Sequence, residues 1–136
     1  MKKKWIDAYY NVAKIFADLS YAERLKVGAV IVKDHRILST GFNGTPSGWD
    51  NVCEDANNKT KPEVLHAEEN AILRLARDGD SGKDATMFLT HCPCINCSRM
   101  IYACGIKEVY YKEDYRSTDG VDFLIKCGVD IKKIED

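Results

Sequence analysis

This chain of 136 residues has no excess of charge of one sign: 20 Lys and Arg stand against 21 Asp and Glu, a formal net charge of -1. A dedicated nucleic-acid binder carries a basic surplus on one face, so no nucleic-acid partner is expected. No apolar run approaches the ~20 residues that a helix needs to cross a bilayer, so no membrane partner is expected. Nor is a secretory leader expected. Lys2-Lys3-Lys4 is a basic start, but Trp5-Ile6-Asp7-Ala8-Tyr9-Tyr10-Asn11 is not the apolar core that a leader requires. The expected location is cytoplasmic, in the host cytoplasm if the chain is viral. Internal repeats and domain-scale linkers are absent. The length suits one domain over residues 1–136 with a single core.

Cysteine, by contrast, is plentiful, with six residues. Without a leader, metal binding or catalysis is a better reading than disulfides. Cys53, Cys92, Cys104 and Cys127 follow no metal spacing and read as small buried hydrophobes. His35 falls in a turn and His91 at a strand end, so both read as polar surface or core residues.

The apolar pattern predicts a helix over 3–19, from Ile6, Tyr9, Tyr10, Ala13, Phe16 and Ala17. β-branched residues predict a strand over 27–32, with a hairpin partner over 37–42. Residues 43–62 are rich in Gly, Pro and Asn, a loop of about 20 residues, and loops of that length are usually functional. Trp49 and Cys53 favour an ordered loop. Further on, helices are expected over 69–77, 94–104 and 118–126, with strands over 85–90, 107–111 and 129–134. The order α-β-β-α-β-α-β-α-β implies an α/β fold: three α/β/α layers around a mixed five-stranded sheet.

Two short segments carry the chemistry. His66-Ala67-Glu68 opens one helix and Pro93-Cys94-Ile95-Asn96-Cys97 opens another. Cys94 and Cys97 share a helix face, and the helix N-terminus favours their thiolates. With the His66 nitrogen they form a soft donor set suited to Zn2+. Three protein ligands leave a place for water, and zinc acidifies that water toward neutrality. Glu68 is close enough to act as acid/base without being a ligand. Glu69 reads as a solvated or interface carboxylate. If Cys92 or Cys53 were a fourth ligand, the site would be closed and the domain a structural zinc module.

H-x-E followed by P-C-x-x-C is the signature of zinc-dependent nucleobase deaminases, and both halves are present without a gap. Together with Val27-Gly28-Ala29-Val30-Ile31, Gly41-Phe42-Asn43-Gly44-Thr45-Pro46, Cys53-Glu54-Asp55-Ala56 and Asp114-Tyr115, the chain resembles deoxycytidylate (dCMP) deaminases, within the cytidine/deoxycytidylate deaminase superfamily, over nearly its whole length. Phe42 departs from the tyrosine more common there. The resemblance implies a cytidine deaminase-like fold and hydrolysis of dCMP to dUMP and ammonia, supplying dUMP for thymidylate synthesis. It makes Glu68 the proton shuttle and puts Asn43, Ala67 and Tyr115 against the substrate. A monophosphate needs cations, and Arg116, Lys26 and Arg24 are the candidates, Arg116 first. The resemblance further implies a homohexamer, activated by dCTP and inhibited by dTTP with Mg2+, its effector site around Asn43, Gly44, Thr45 and Asp50. A second, structural zinc is not expected, because the 53–66 loop offers only Cys53. Deamination of another base or nucleoside (cytidine, guanine, tRNA adenosine) is the competing enzymatic reading.

Overall fold

Side chains along β1 (Gly28–Lys33), all buried up to Val32, alternate between two faces of a sheet. Ala29 and Ile31 enter one core, while Val30 and Val32 enter another. A period of two that is apolar on both sides requires a layer over each face. The computed structural model, which describes residues 1–136, supplies both layers. α1 (Lys3–Ala17) covers one face through Tyr9, Tyr10 and Ala13, which meet Val30, Val32, Phe88 and Tyr110. α2 (Ala67–Asp78), α3 (Ile95–Ala103) and α4 (Asp119–Lys126) cover the other. Their Ala71, Leu75, Ile101 and Leu124 meet Ile31, Met87, Leu89 and Val109. The aromatic stack in the α1 layer is close. Phe88 lies 5.3 Å, ring to ring, from both Tyr9 and Tyr110, and such pairs add ~0.5–1.5 kcal/mol each beyond their burial.

The remaining strands are β2 (Arg36–Phe42), β3 (Thr86–His91), β4 (Glu108–Glu113) and β5 (Asp130–Lys133). The sheet order is β2-β1-β3-β4-β5. β1 is antiparallel to both neighbours, and the crossovers through α3 and α4 make β3, β4 and β5 parallel. The expected element order and three layers are therefore present. No helix is long and apolar enough to cross a membrane.

Two boundaries differ from expectation at the places that matter for chemistry. α2 starts at Ala67, two residues early, because His66 takes the N-cap with extended backbone (φ -72°, ψ 160°). α3 starts after Cys94, which is itself an N-cap (φ -72°, ψ 169°). The long 43–62 loop is ordered, but Trp49 is exposed and does not order it. Gly44 pairs with Leu65 through two backbone hydrogen bonds (3.1 and 2.8 Å), and Glu54 bridges Thr60. Cys53 is buried against Ala22 and Val64.

Candidate active site

The cap position places His66. An N-cap side chain projects from the helix start, beside the free N–H groups of the first turn. Glu69, three residues on, reaches back so that its Oε1 accepts the His66 backbone N–H at 2.9 Å. This is half of a capping box. It adds to the reading of Glu69 as a solvated or interface carboxylate a local role: the side chain fixes the backbone that carries the imidazole.

Cys94 caps α3 in the same way, its sulfur accepting the Cys97 backbone N–H at 3.5 Å. His66 Nδ1 lies 3.2 Å from Cys97 Sγ and 3.6 Å from Cys94 Sγ. All three donor atoms fall within 4.8 Å of one another. Tetrahedral zinc at ordinary bond lengths separates its nitrogen and sulfur ligands by about 3.5 Å, so these residues fit one ion. Protonation supports the same reading. The Cys94 thiol is pushed down to about 4, chiefly by the hydrogen bond from Cys97. Cys97 is driven up by that same bond. His66 is pushed up to about 9 by its bond to Cys94. Cys92 and Cys53 stand outside the cluster, so no fourth protein ligand closes it.

Glu68 is 5% exposed, on the floor of a cleft of about 940 Å³. Burial drives its carboxyl up to about 7, against the lowering effects of its own backbone N–H and of His66. A carboxyl poised near neutrality can both take and give a proton. His66, Ala67, His91, Cys92 and Cys94 share this cleft.

Asn43, Tyr115 and Arg116 also line it. The Asn43 amide is tied to the wall: Oδ1 accepts from the Val27 N–H (2.9 Å) and Nδ2 donates to the Leu25 carbonyl (2.8 Å). That leaves one lone pair and one N–H of the amide unused by these bonds. The Arg116 guanidinium lies over the Tyr115 ring at 5.6 Å. Lys26 is not at the cleft; it lines a separate depression with Asp18, Ser20 and Glu23. Arg24 lines the cleft instead, because the chain bends at Glu23–Arg24. Gly44, Thr45 and Asp50 lie beyond the lining residues, where the Thr45 hydroxyl donates to the Asp50 carbonyl at 2.6 Å.

Three contributors were not legible in advance as parts of the site. Besides Glu69, the Glu54 carboxylate accepts the backbone N–H groups of Glu23 and Arg24 and so holds the rim. Lys59 brings a third cation to the cleft from the 54–60 turn. The S/T-x-x-E cap signature was hidden because His replaces Ser/Thr; Glu54 falls in the Cys53-Glu54-Asp55-Ala56 segment of the resemblance without any sign of a rim role, and nothing in the sequence marks Lys59.

A family model for the zinc-binding region of cytidine and deoxycytidylate deaminases matches residues 3–113. The deoxycytidylate deaminase of Mycobacterium phage D29 is 36% identical over 124 residues, covering 81% of this chain and 95% of that protein. The deoxycytidylate deaminase of Saccharomyces cerevisiae is 34% identical over 143 residues; the match takes in 98% of this chain but 46% of the yeast protein, so the chain spans under half of that relative. A crystal structure of dCMP deaminase from cyanophage S-TIM5, in complex with dCMP and dUMP, matches with a TM-score of 0.96 at 45% identity, over 98% of this chain and 99% of that one. With a matched region that runs from α1 to the end of β4 and contains His66, Glu68, Cys94 and Cys97, the chain belongs to the cytidine and deoxycytidylate deaminase family.

Proposed function

We propose that this chain hydrolyses dCMP to dUMP and ammonia, supplying dUMP for thymidylate synthesis. One observation carries the reading: a buried carboxylate and two members of a zinc-type donor triad, His66 and Cys94, with Cys97 buried beside them, lie on the floor of a cleft whose rim bears Arg24, Lys59 and Arg116. The floor suits deamination and the rim suits a 5′-monophosphate. The likeness to the S-TIM5 enzyme, solved with dCMP and dUMP, supports the same substrate.

His66, Cys94 and Cys97 would hold zinc, which acidifies a water toward neutrality when bound. Glu68 takes a proton from the attacking water as the water oxygen bonds to C4, and delivers that proton to the pyrimidine N3. The second water proton passes through the same carboxylate to the exocyclic amine as the C4–N4 bond breaks. The oxygen stays on C4 as the carbonyl and ammonia departs. Ala67 backs the base, the free capacity of the Asn43 amide meets the deoxyribose, and Tyr115 lies over the nucleotide. Arg116 and Arg24, with Lys59, face the phosphate.

The regulatory reading extends this one. Asn43 lines the cleft while its chain continues into Gly44, Thr45 and Asp50, so a nucleotide with Mg2+ held by that loop would act on a substrate contact directly. On this reading dCTP activates and dTTP inhibits a hexamer, with the exposed Arg74 and Arg77 of α2 at the interface.

The deciding experiment is turnover of dCMP, deoxycytidine, cytidine, guanine and tRNA by the zinc-loaded chain, with and without dCTP and dTTP. dCMP is expected to be deaminated fastest. Equal turnover of deoxycytidine, or faster turnover of guanine or tRNA, would overturn the substrate assignment.

A further inference from the structure

The two halves of the metal site sit on different helices, and each half is seated against a glycine where no side chain fits. Gly41, in β2, faces the start of α2. A Cβ there would overlap the carbonyl oxygen of Ala67 and lie 2.7 Å from the backbone nitrogen of Ala71. Ala67 is the residue between His66 and Glu68. Gly120, in the first turn of α4, faces the turn that enters α3. A Cβ there would overlap the carbonyl oxygen of Pro93, and lie 2.6 Å from Ser98 Oγ and 2.8 Å from the carbonyl carbon of Cys94. The obstructing atoms are mostly backbone and cannot swing aside. Ser98 Oγ is fully buried and has no hydrogen-bond partner. Close packing, not polar pairing, therefore sets the α3–α4 distance.

We infer that Gly41 and Gly120 are positioning residues for the zinc site. They set how far α2 and α3 stand from their supports, and hence the spacing of His66 from Cys94 and Cys97. The donors already stand at zinc spacing, 3.2 and 3.6 Å from nitrogen to sulfur, so any displacement degrades the fit. This inference rests on the zinc reading above. Gly28 provides the comparison within the same fold. A Cβ there would overlap the carbonyl oxygen of Ala13 and lie 2.8 Å from the nitrogen of Ala17. It is as crowded as the other two, but it seats α1 on the face of the sheet that carries no donor.

The test uses the full chain as wild type, Gly41→Ala, Gly120→Ala and Gly28→Ala. Zinc affinity is measured by chelator competition, and the thiolate-to-metal absorption is recorded for the cobalt-substituted proteins. All three variants should melt earlier. Zinc affinity should fall ~10–100-fold in Gly41→Ala and Gly120→Ala, the range found when groups orienting metal ligands are lost. Their cobalt spectra should change, while Gly28→Ala should keep affinity and spectrum near wild type. Wild-type affinity in both Gly41→Ala and Gly120→Ala would overturn the inference. So would an equal loss in Gly28→Ala, because that would be a general effect of destabilisation. If Gly120→Ala does not fold, Gly41→Ala is read by the same criteria. A wild type that binds no zinc would overturn the zinc reading and this inference together.

Discussion

Glu54 holds Arg24 at the cleft by its backbone: Oε2 accepts the Arg24 N–H at 3.3 Å and the Glu23 N–H at 3.2 Å. The carboxylate is 9% exposed, and hydrogen bonds to a charged group contribute ~1.5–3 kcal/mol each. Glu54→Ala should lower stability by about 1–3 kcal/mol in denaturant titrations, and should raise KM for dCMP more than it lowers kcat. Glu54→Gln, which keeps one acceptor oxygen, should recover part of both. A fall in kcat at constant KM would place Glu54 in the chemical step instead of the rim.

Glu68→Gln preserves shape and removes the exchangeable carboxyl. Zinc content and melting temperature should be retained, while kcat falls by at least ~10²-fold, the lower end for loss of a general acid/base. Metal analysis alongside single-turnover kinetics checks this. Retained turnover would remove Glu68 from the mechanism.

Arg116 and Lys26 make a matched pair of substitutions. Arg116 lines the cleft over Tyr115 and Lys26 faces a different depression. Arg116→Ala should narrow the preference for dCMP over deoxycytidine, measured as the ratio of kcat/KM values, by about tenfold or more, as expected for a charge-assisted contact. Lys26→Ala should leave that ratio unchanged. An unchanged ratio in Arg116→Ala would move the phosphate to Arg24 and Lys59.

Metal removal should be visible as selective thiol chemistry. Without metal, Cys94 is pushed down to about 4, whereas burial pushes Cys53, Cys92 and Cys104 up. The thiolate is the reactive form. Chelator-treated protein should therefore be alkylated first at Cys94 in mildly acidic buffer, and zinc-loaded protein should be protected there. Peptide mapping by mass spectrometry reads the site. First labelling at Cys53 would contradict the assignment.

His91 gives a pH dependence of known sign. Burial holds its imidazole below the usual 6.5, with Glu113 opposing. The unfolded chain takes up this proton as pH falls through about 6.5, while the folded chain resists until lower pH. Stability is therefore lost on the acid side of that window. In denaturant titrations at saturating zinc, His91→Gln should lose less stability than wild type as pH is lowered from about 7.5 to about 5.5. Parallel curves would exclude a His91 contribution.

Much of this molecule is legible in its residues. The β-branched run of β1, the apolar periodicity of α1 and α2 and the stops at Gly79 and Gly105 mark their elements by local chemistry alone. Both glycines take positive φ (77° and 93°), which frees them to end a helix. The Cys94–Cys97 pair is legible for a similar reason, since its spacing is a property of one helix start, whereas the distance from His66 depends on how α2 and α3 pack. Strand order is not, because the place of β1 between β2 and β3 depends on pairings such as Ala29 with Leu89, far apart in the chain. The rim is the least legible part. Arg24 and Lys26 are two apart and would share a side of an extended segment, yet a bend held by Glu54 separates them. That bend depends on a carboxylate thirty positions away, and no local pattern encodes it.

The central place of β3 has a bearing on which parts of the molecule open. Met87, Phe88 and Leu89 are fully buried between β1 and β4, and amides in such a strand exchange with solvent only when the whole domain unfolds. Cys94 and Cys97 follow directly from that strand. Residues 55–60, with Lys59 near their end, are exposed and held by a few loop hydrogen bonds. They can open at a fraction of the global cost. On the proposed reading, the cysteine ligands thus follow the strand expected to exchange most slowly while Lys59 sits on a turn expected to exchange fast, so that nucleotide entry need not disturb the metal site.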